Sequence, residues 1–139
     1  MIRQKTIYSR PRRPFDKIRI HEENELVKRY GLKNKREIWK AEAEIARIRR
    51  IAKGLIAGEE ENKQVFINKL KKKGFEVESI ADILSLDKED WLKRRLQSIL
   101  VLKKLVRTPK QARQLITHKH VLIGDRVVNI PSYQVDVDE

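Results

Sequence analysis

The chain has no cysteine, five glycines, four prolines, two tryptophans, three tyrosines and three phenylalanines. Without cysteine there is no disulfide framework and no thiolate metal centre. Five scattered glycines leave no Gly-rich phosphate loop. Three histidines are too few for most other metal centres. The longest apolar run near the middle, Ile99 to Leu102, falls far short of the roughly 20 residues a membrane-spanning helix needs. The first residues, MIRQKTIYSRPRRP, are basic but lack the apolar core of a secretory signal. A soluble intracellular protein is the expectation that remains.

Positive charge is what the chain has in quantity. Lys and Arg number 33 against 20 Asp and Glu, a formal charge of +13 over 139 residues. A balance this basic implies a polyanionic partner, either nucleic acid or an anionic membrane. Placement narrows the choice. Residues 1–20 hold seven cations against Asp16 alone, a net of +6. Residues 101–120 hold six and no acid, again +6, while the last 19 residues have a net of −3. A surface built only for solubility mixes its signs, so two such blocks read as binding footprints. Neither lies on a strongly amphipathic helix with Trp or Phe anchors, which argues against a membrane surface.

From Met1 to Ile20, prolines among cations and no helical period suggest an extended basic arm that orders on a partner. Arg10, Arg12 and Arg13 are its candidate contacts. His21 to Tyr30 reads as a short helix stopped by Gly31. Asn34 with Glu37 has the pattern of a capping box. It opens a long helix with the stripe Ile38, Ala41, Ile45, Ile48, Ala52 and Leu55, ended by Gly54 or Gly58. Arg47 and Arg50 fall off that stripe. They suit either a solvated face or a nucleic-acid contact. Asn62 to Lys73 reads as a further helix ended by Gly74. Its Lys71-Lys72-Lys73 run is explained by the helix dipole. Ser79 with Asp82, and Asp87 with Asp90, predict two more capped helices. The second should present Trp91, Leu92, Leu96, Ile99 and Leu100 as one apolar side. Trp39, Trp91, Phe66 and Phe75 are assigned to the core. The expected division is an arm over 1–20, a helical domain over 21–90 and a second domain over 91–139.

The richest stretch is RTPKQARQLI, Arg107 to Ile116. Thr108 is a good N-cap, Pro109 suits the first helical position, and Gln111 can reach back to the cap. Ala112, Leu115 and Ile116 should face inward, leaving Lys110, Arg113 and Gln114 outside. Cations at a helix N-terminus oppose the dipole and one another. A phosphate in front of them would relieve both effects. His120 to Ile123, Gly124-Asp125 and Arg126 to Val128 then predict a hairpin whose leading glycine suits a type II′ turn. His118 and His120 have no third ligand nearby for a metal, and nothing orients them for acid–base chemistry. Tyr133 is the best aromatic candidate for a partner contact.

LKRRLQ (Leu92 to Gln97), RTPKQARQLI, HKHV and VVNIPSYQV resemble the RNA-binding fold of the ribosomal protein S-four family of the small subunit. PRRPFDK (Pro11 to Lys17), YGLKNKREIWK (Tyr30 to Lys40) and Ile83 to Arg95 resemble its archaeal and eukaryotic branch. The resemblance implies an α+β protein: a helical N-terminal domain followed by a small fold of helices packed on a short antiparallel hairpin. It implies a ribosomal protein with no enzymatic activity and no cofactor, in the cytoplasm. Its partners would be small-subunit ribosomal RNA and neighbouring ribosomal proteins, with no membrane or small-molecule substrate. It also implies early binding during assembly of the subunit body and an influence on decoding accuracy. Carried over, the RNA-facing set is Arg94, Arg95, Arg107, Thr108, Lys110, Gln111, Arg113, Gln114, His118, Lys119 and His120, meeting phosphates and 2′-hydroxyls. Arm residues Arg10, Arg12 and Arg13 and helix residues Arg47 and Arg50 extend it. The alternative is a non-ribosomal assembly or quality-control factor with the same fold. An RNA-modifying enzyme would need a catalytic domain that the basic N-terminal residues do not offer. Two departures stand out. The family has Gly where this chain has Lys104 and Lys119, both at helix ends where left-handed backbone is expected. A non-Gly residue there costs about 1 kcal/mol. Members of the family also continue well past the segment that here ends at Glu139.

Overall fold

A computed structural model describes residues 6–139. The expected arm's first residues, Met1 to Lys5, lie outside the described residues. Helix α1 (Lys17–Tyr30) is capped by Asp16, whose carboxylate accepts from the N–H groups of Ile18 and Arg19. The last four residues of the expected arm, Lys17 to Ile20, are therefore helical. Asp16 supplies the cap, and Arg19 pairs with Glu23 one turn on. The helix stops at Gly31 as expected, with φ 61.

Helix α2 (Arg36–Leu55) buries Ile38, Ala41, Ile45, Ile48 and Ala52. Leu55, the last of the expected stripe, is half-buried. The expected Asn34 cap does not form: Lys35 occupies the cap position with no side-chain bond. Glu37 accepts from the Lys33 N–H at 3.1 Å and otherwise turns to two arginines. The helix runs through Gly54 and ends at Leu55, whose carbonyl accepts from the Gly58 N–H. Helix α3 (Glu60–Lys72) starts two residues before Asn62 and is followed by Gly74 at φ 84. Helices α4 (Ile80–Ser85) and α5 (Lys88–Lys93) each carry a complete capping box, Ser79 with Asp82 and Asp87 with Asp90.

The single helix expected beyond Asp87 is broken. Helix α6 (Leu96–Leu102) begins after Arg95, which is extended at φ −69 and ψ 146. The C-terminal segment makes the break. Leu96 N–H donates to the Tyr133 carbonyl at 2.8 Å, Val135 N–H donates to the Arg94 carbonyl, and Arg95 bridges Gln134. Tertiary pairing here outweighs local helix propensity, which is a weak preference. Helix α7 (Pro109–Thr117) follows, then the antiparallel strands β1 (Leu122–Ile123) and β2 (Arg126–Val127), with Ile123 opposite Arg126. Gly124 alone in the turn has positive φ, 57, the sign pattern of a type II′ turn.

Among the described residues, three apolar clusters form the core. The second half of α2 packs with α3 and Phe75 to Leu86. Its first half packs with Leu26, Leu32 and Leu92. Helices α6 and α7 pack with Val121, Val128 and Val135. Trp91 lies against the first two. The architecture is α+β, mostly helical with the small sheet near the C-terminal end.

Candidate nucleic-acid interface

Helix α7 organises the exposed cations. Thr108 Oγ1 accepts from the Gln111 N–H at 3.2 Å, and Pro109 takes the first helical position. Gln111 reaches back one residue beyond the cap, its Oε1 accepting from the Arg107 N–H at 3.2 Å. That bond uses the acceptor of the amide and leaves its N–H₂ for a partner. Ala112 and Ile116 are fully buried and Leu115 is half-buried. The helix is thereby fixed with Arg107, Thr108, Lys110, Gln111, Gln114, His118, Lys119 and His120 exposed. Among the described residues, no carboxylate lies within ion-pair distance of the cations in this set. The His118 and His120 rings lie nearly parallel, 6.3 Å apart.

Three arginines expected on this face are spent inside the fold. Arg94 donates to the Lys73 carbonyl at 3.0 Å and the Val135 carbonyl at 2.6 Å. It fastens the C-terminal segment across the end of α3, and its guanidinium lies where a Cβ on Gly74 would have to sit. Arg95 is 4% exposed and pairs with Glu37 at 2.7 Å. Arg113, expected on the outer side of α7, is half-buried and pairs with the other oxygen of Glu37 at 2.9 Å. Burial alone would raise the Glu37 pKa. The hydrogen bonds and charges of Arg113 and Arg95 outweigh it and hold the carboxyl below its ordinary value. Beside this group sits Gln97, 1% exposed, whose amide donates to the carbonyls of Gly31 at 2.9 Å and Pro109 at 2.8 Å. A polar group this deep needs such partners. Gly31 is required twice over: by its φ, and because a Cβ would come within 2.7 Å of Pro109. The helical region and the α6–α7 unit thus meet at a polar junction of Glu37, Arg95, Arg113 and Gln97.

The arm runs back along α2. Tyr8 packs on Trp39, ring centroids 6.0 Å apart. Residues Thr6 to Ser9 border an open cavity of about 700 Å³ together with Arg47 and Arg50. Arg47 lies 3.6 Å from Glu44, and Arg50 is exposed. Arg10, Arg12 and Arg13 are exposed as well. Arg19 is not free for a partner. It makes two 2.9 Å bonds to the buried carboxylate of Glu23 and also donates to the carbonyls of Arg13 and Pro14. The indole of Trp39 donates to the same carboxylate at 2.9 Å. Phe75 is buried and stacks on Trp91, and Phe66, Trp91 and Trp39 pack half-buried against the apolar clusters, which agrees with the expected assignment of these four to the core. Tyr133 is half-buried, its hydroxyl shared between Glu139 and Arg126.

Residues 94–139 match the family model for the S4 domain. The similarity to whole proteins reaches much further. The small ribosomal subunit protein uS4 of Natronomonas pharaonis is 45% identical, covering 95% of this chain and 81% of the relative. That of Nanoarchaeum equitans is 44% identical over 100% of this chain and 82% of the relative. That of Picrophilus torridus is 43% identical, with 96% and 78% covered. The chain belongs to the uS4 family of small ribosomal subunit proteins.

In this uS4 chain the sequence reading missed Glu23, Glu37 and Gln97. Glu23 shares the helical spacing of Leu26, Val27 and Tyr30, and Glu37 that of Ala41 and Ile45. A charged residue on an apolar face is read as inward only when its partner is known, and these partners are distant or of unexpected kind. Glu37 is 58 residues from Arg95 and 76 from Arg113.

Proposed function

We propose that this chain is a structural constituent of the small ribosomal subunit and binds that subunit's RNA through the exposed face of α7. The observation that carries the reading is the row Arg107, Lys110 and Lys119 with Thr108, Gln111, Gln114, His118 and His120, on a segment without a single acid. Side chains of this kind meet phosphates and 2′-hydroxyls rather than reading base edges. Arg10, Arg12, Arg13, Arg47 and Arg50 extend the footprint along the arm and α2. Arg94, Arg95 and Arg113 hold the fold in register behind it. Membership of the uS4 family supports the same reading. The working division moves the expected boundaries to the ends of helices: the arm up to Asp16, the helical domain from α1 to α5, and the RNA-binding domain over 94–139. The chain acts by binding, without catalysis, in the cytoplasm. Its neighbours are other small-subunit proteins, and no membrane or small-molecule substrate is involved. Among the described residues, no helix is long and apolar enough to cross a membrane. Early binding helps nucleate the subunit body, and the mature contact helps maintain decoding accuracy.

Sucrose-gradient sedimentation after a high-salt wash tests the role. A ribosomal constituent stays with the mature small subunit. Release into the soluble fractions would instead identify a transient assembly or quality-control factor.

A further inference from the structure

Helices α6 and α7 end in the same device. At the end of α6, the Lys104 N–H donates to the Val101 carbonyl at 3.0 Å and the Leu105 N–H to the Leu100 carbonyl at 3.1 Å. At the end of α7, the Lys119 N–H donates to the Ile116 carbonyl at 3.0 Å and the His120 N–H to the Leu115 carbonyl at 3.0 Å. Each is a Schellman closure, which demands left-handed backbone at its central residue. Those residues are lysines, Lys104 at φ 58 and Lys119 at φ 63. They are the two non-glycine residues with positive φ among those described. The two segments also align in sequence, Leu100-Val101-Leu102-Lys103-Lys104-Leu105-Val106 with Leu115-Ile116-Thr117-His118-Lys119-His120-Val121. In both, a titratable or cationic residue precedes the strained lysine, and a buried valine, Val106 or Val121, follows two residues later.

Folding does not explain a lysine at either corner. Glycine fits the closure without strain, and the carbonyls of the last turn already have their backbone donors. Both side chains are exposed. Among the described residues neither lies within ion-pair distance of a carboxylate, and residues 101–120 contain no acid. The helix dipole favours a cation near a C-terminus, yet Lys103, one residue before Lys104 and free of strain, already satisfies it at the end of α6. A strained residue that persists without an internal reason points to a partner. Lys104 comes five residues before α7 and Lys119 two residues after it, and the helix between them is roughly 13 Å long.

We propose that Lys104 is a further RNA phosphate contact of this chain, matched with Lys119 on the other side of α7 in sequence, and that each lysine is retained in left-handed backbone because it meets a phosphate. The inference rests on the RNA-binding reading above and adds Lys104 to its footprint.

Lys104→Gly, Lys119→Gly and the double variant test it in the full-length chain. Glycine relieves the strain and removes the charge together. Each glycine variant should melt no lower than the parent, and the double variant higher. Each should bind a small-subunit ribosomal RNA fragment several-fold more weakly, with the slope of log affinity against log salt reduced by about 0.9 per lysine. Lys104→Arg and Lys119→Arg keep the charge and should keep the slope. If the parent binds the fragment and the glycine variants match its affinity and slope, the lysines are not contacts and the inference fails alone. If the parent shows no preference for this RNA, the underlying functional reading fails with it. Glycine variants that melt lower than the parent would overturn the claim of strain.

Discussion

Glu37 ties two arginines of the C-terminal region to the start of α2. Its carboxylate neutralises one guanidinium that is almost fully buried and one that is half-buried, 58 and 76 residues away. Removing one partner of a buried pair leaves an uncompensated charge, at about 3–5 kcal/mol. Glu37→Ala should therefore lower the urea midpoint strongly without changing the slope of RNA affinity against salt. Arg113→Ala should lower it less, because Glu37 keeps Arg95, and should also leave the slope unchanged, whereas Lys110→Ala should leave stability near the parent and reduce the slope by about 0.9. The contrast separates interior cations from contact cations. Protonation adds a second test. The Glu37 pKa is depressed in the folded chain, so the unfolded chain takes up the proton first as pH falls. Its contribution is intact above the unfolded carboxylate pKa and disappears as pH drops through the lower, folded value. Denaturant titrations over the acid range should show this loss in the parent and a flatter dependence in Glu37→Gln. Gly31→Ala should destabilise too, because it meets both a positive φ and a 2.7 Å contact with Pro109.

At the level of elements, the helices were legible where local chemistry decides them. Ser79 with Asp82, Asp87 with Asp90, and Thr108-Pro109 start helices where the capping patterns put them. The apolar stripe of α2 faces inward over most of its length. The Lys104 and Lys119 positions are left-handed, as the departure from the family's glycines implied. What was not legible depends on residues far apart in sequence. Nothing within Trp91 to Leu100 signals the break before α6, because the groups that impose it come from Tyr133 to Val135. Asn34 looked like a cap for the same reason: the Glu37 that should complete the box is taken by Arg95 and Arg113. The inward turn of Arg113 was hidden because α7 alone places it on the outer side. Thr108→Ala should cost about 1 kcal/mol, the usual worth of such a cap. Its effect on RNA affinity should exceed that of an equally destabilising core change in α3, because the cap also sets the direction of Lys110 and Arg107. Thermal melts paired with binding isotherms measure both.

For the whole molecule, charge placement and fold point the same way. The arm lies beside Arg47 and Arg50 on α2, and the acid-free α6–α7 unit is docked to the helical region through buried polar groups. The hydrogen-bonded junction joins two cationic surfaces, so affinity should fall when it is loosened even if no contact residue changes. The composition made a polyanionic partner legible from the start. The identity of that partner needed the motif order and the uS4 relatives. Crosslinking in cells with sequencing of the attached RNA tests the central claim most directly. The account predicts crosslinks from Arg107 to His120 concentrated on small-subunit ribosomal RNA. Crosslinks dispersed over unrelated RNAs, or concentrated on another RNA class, would contradict it.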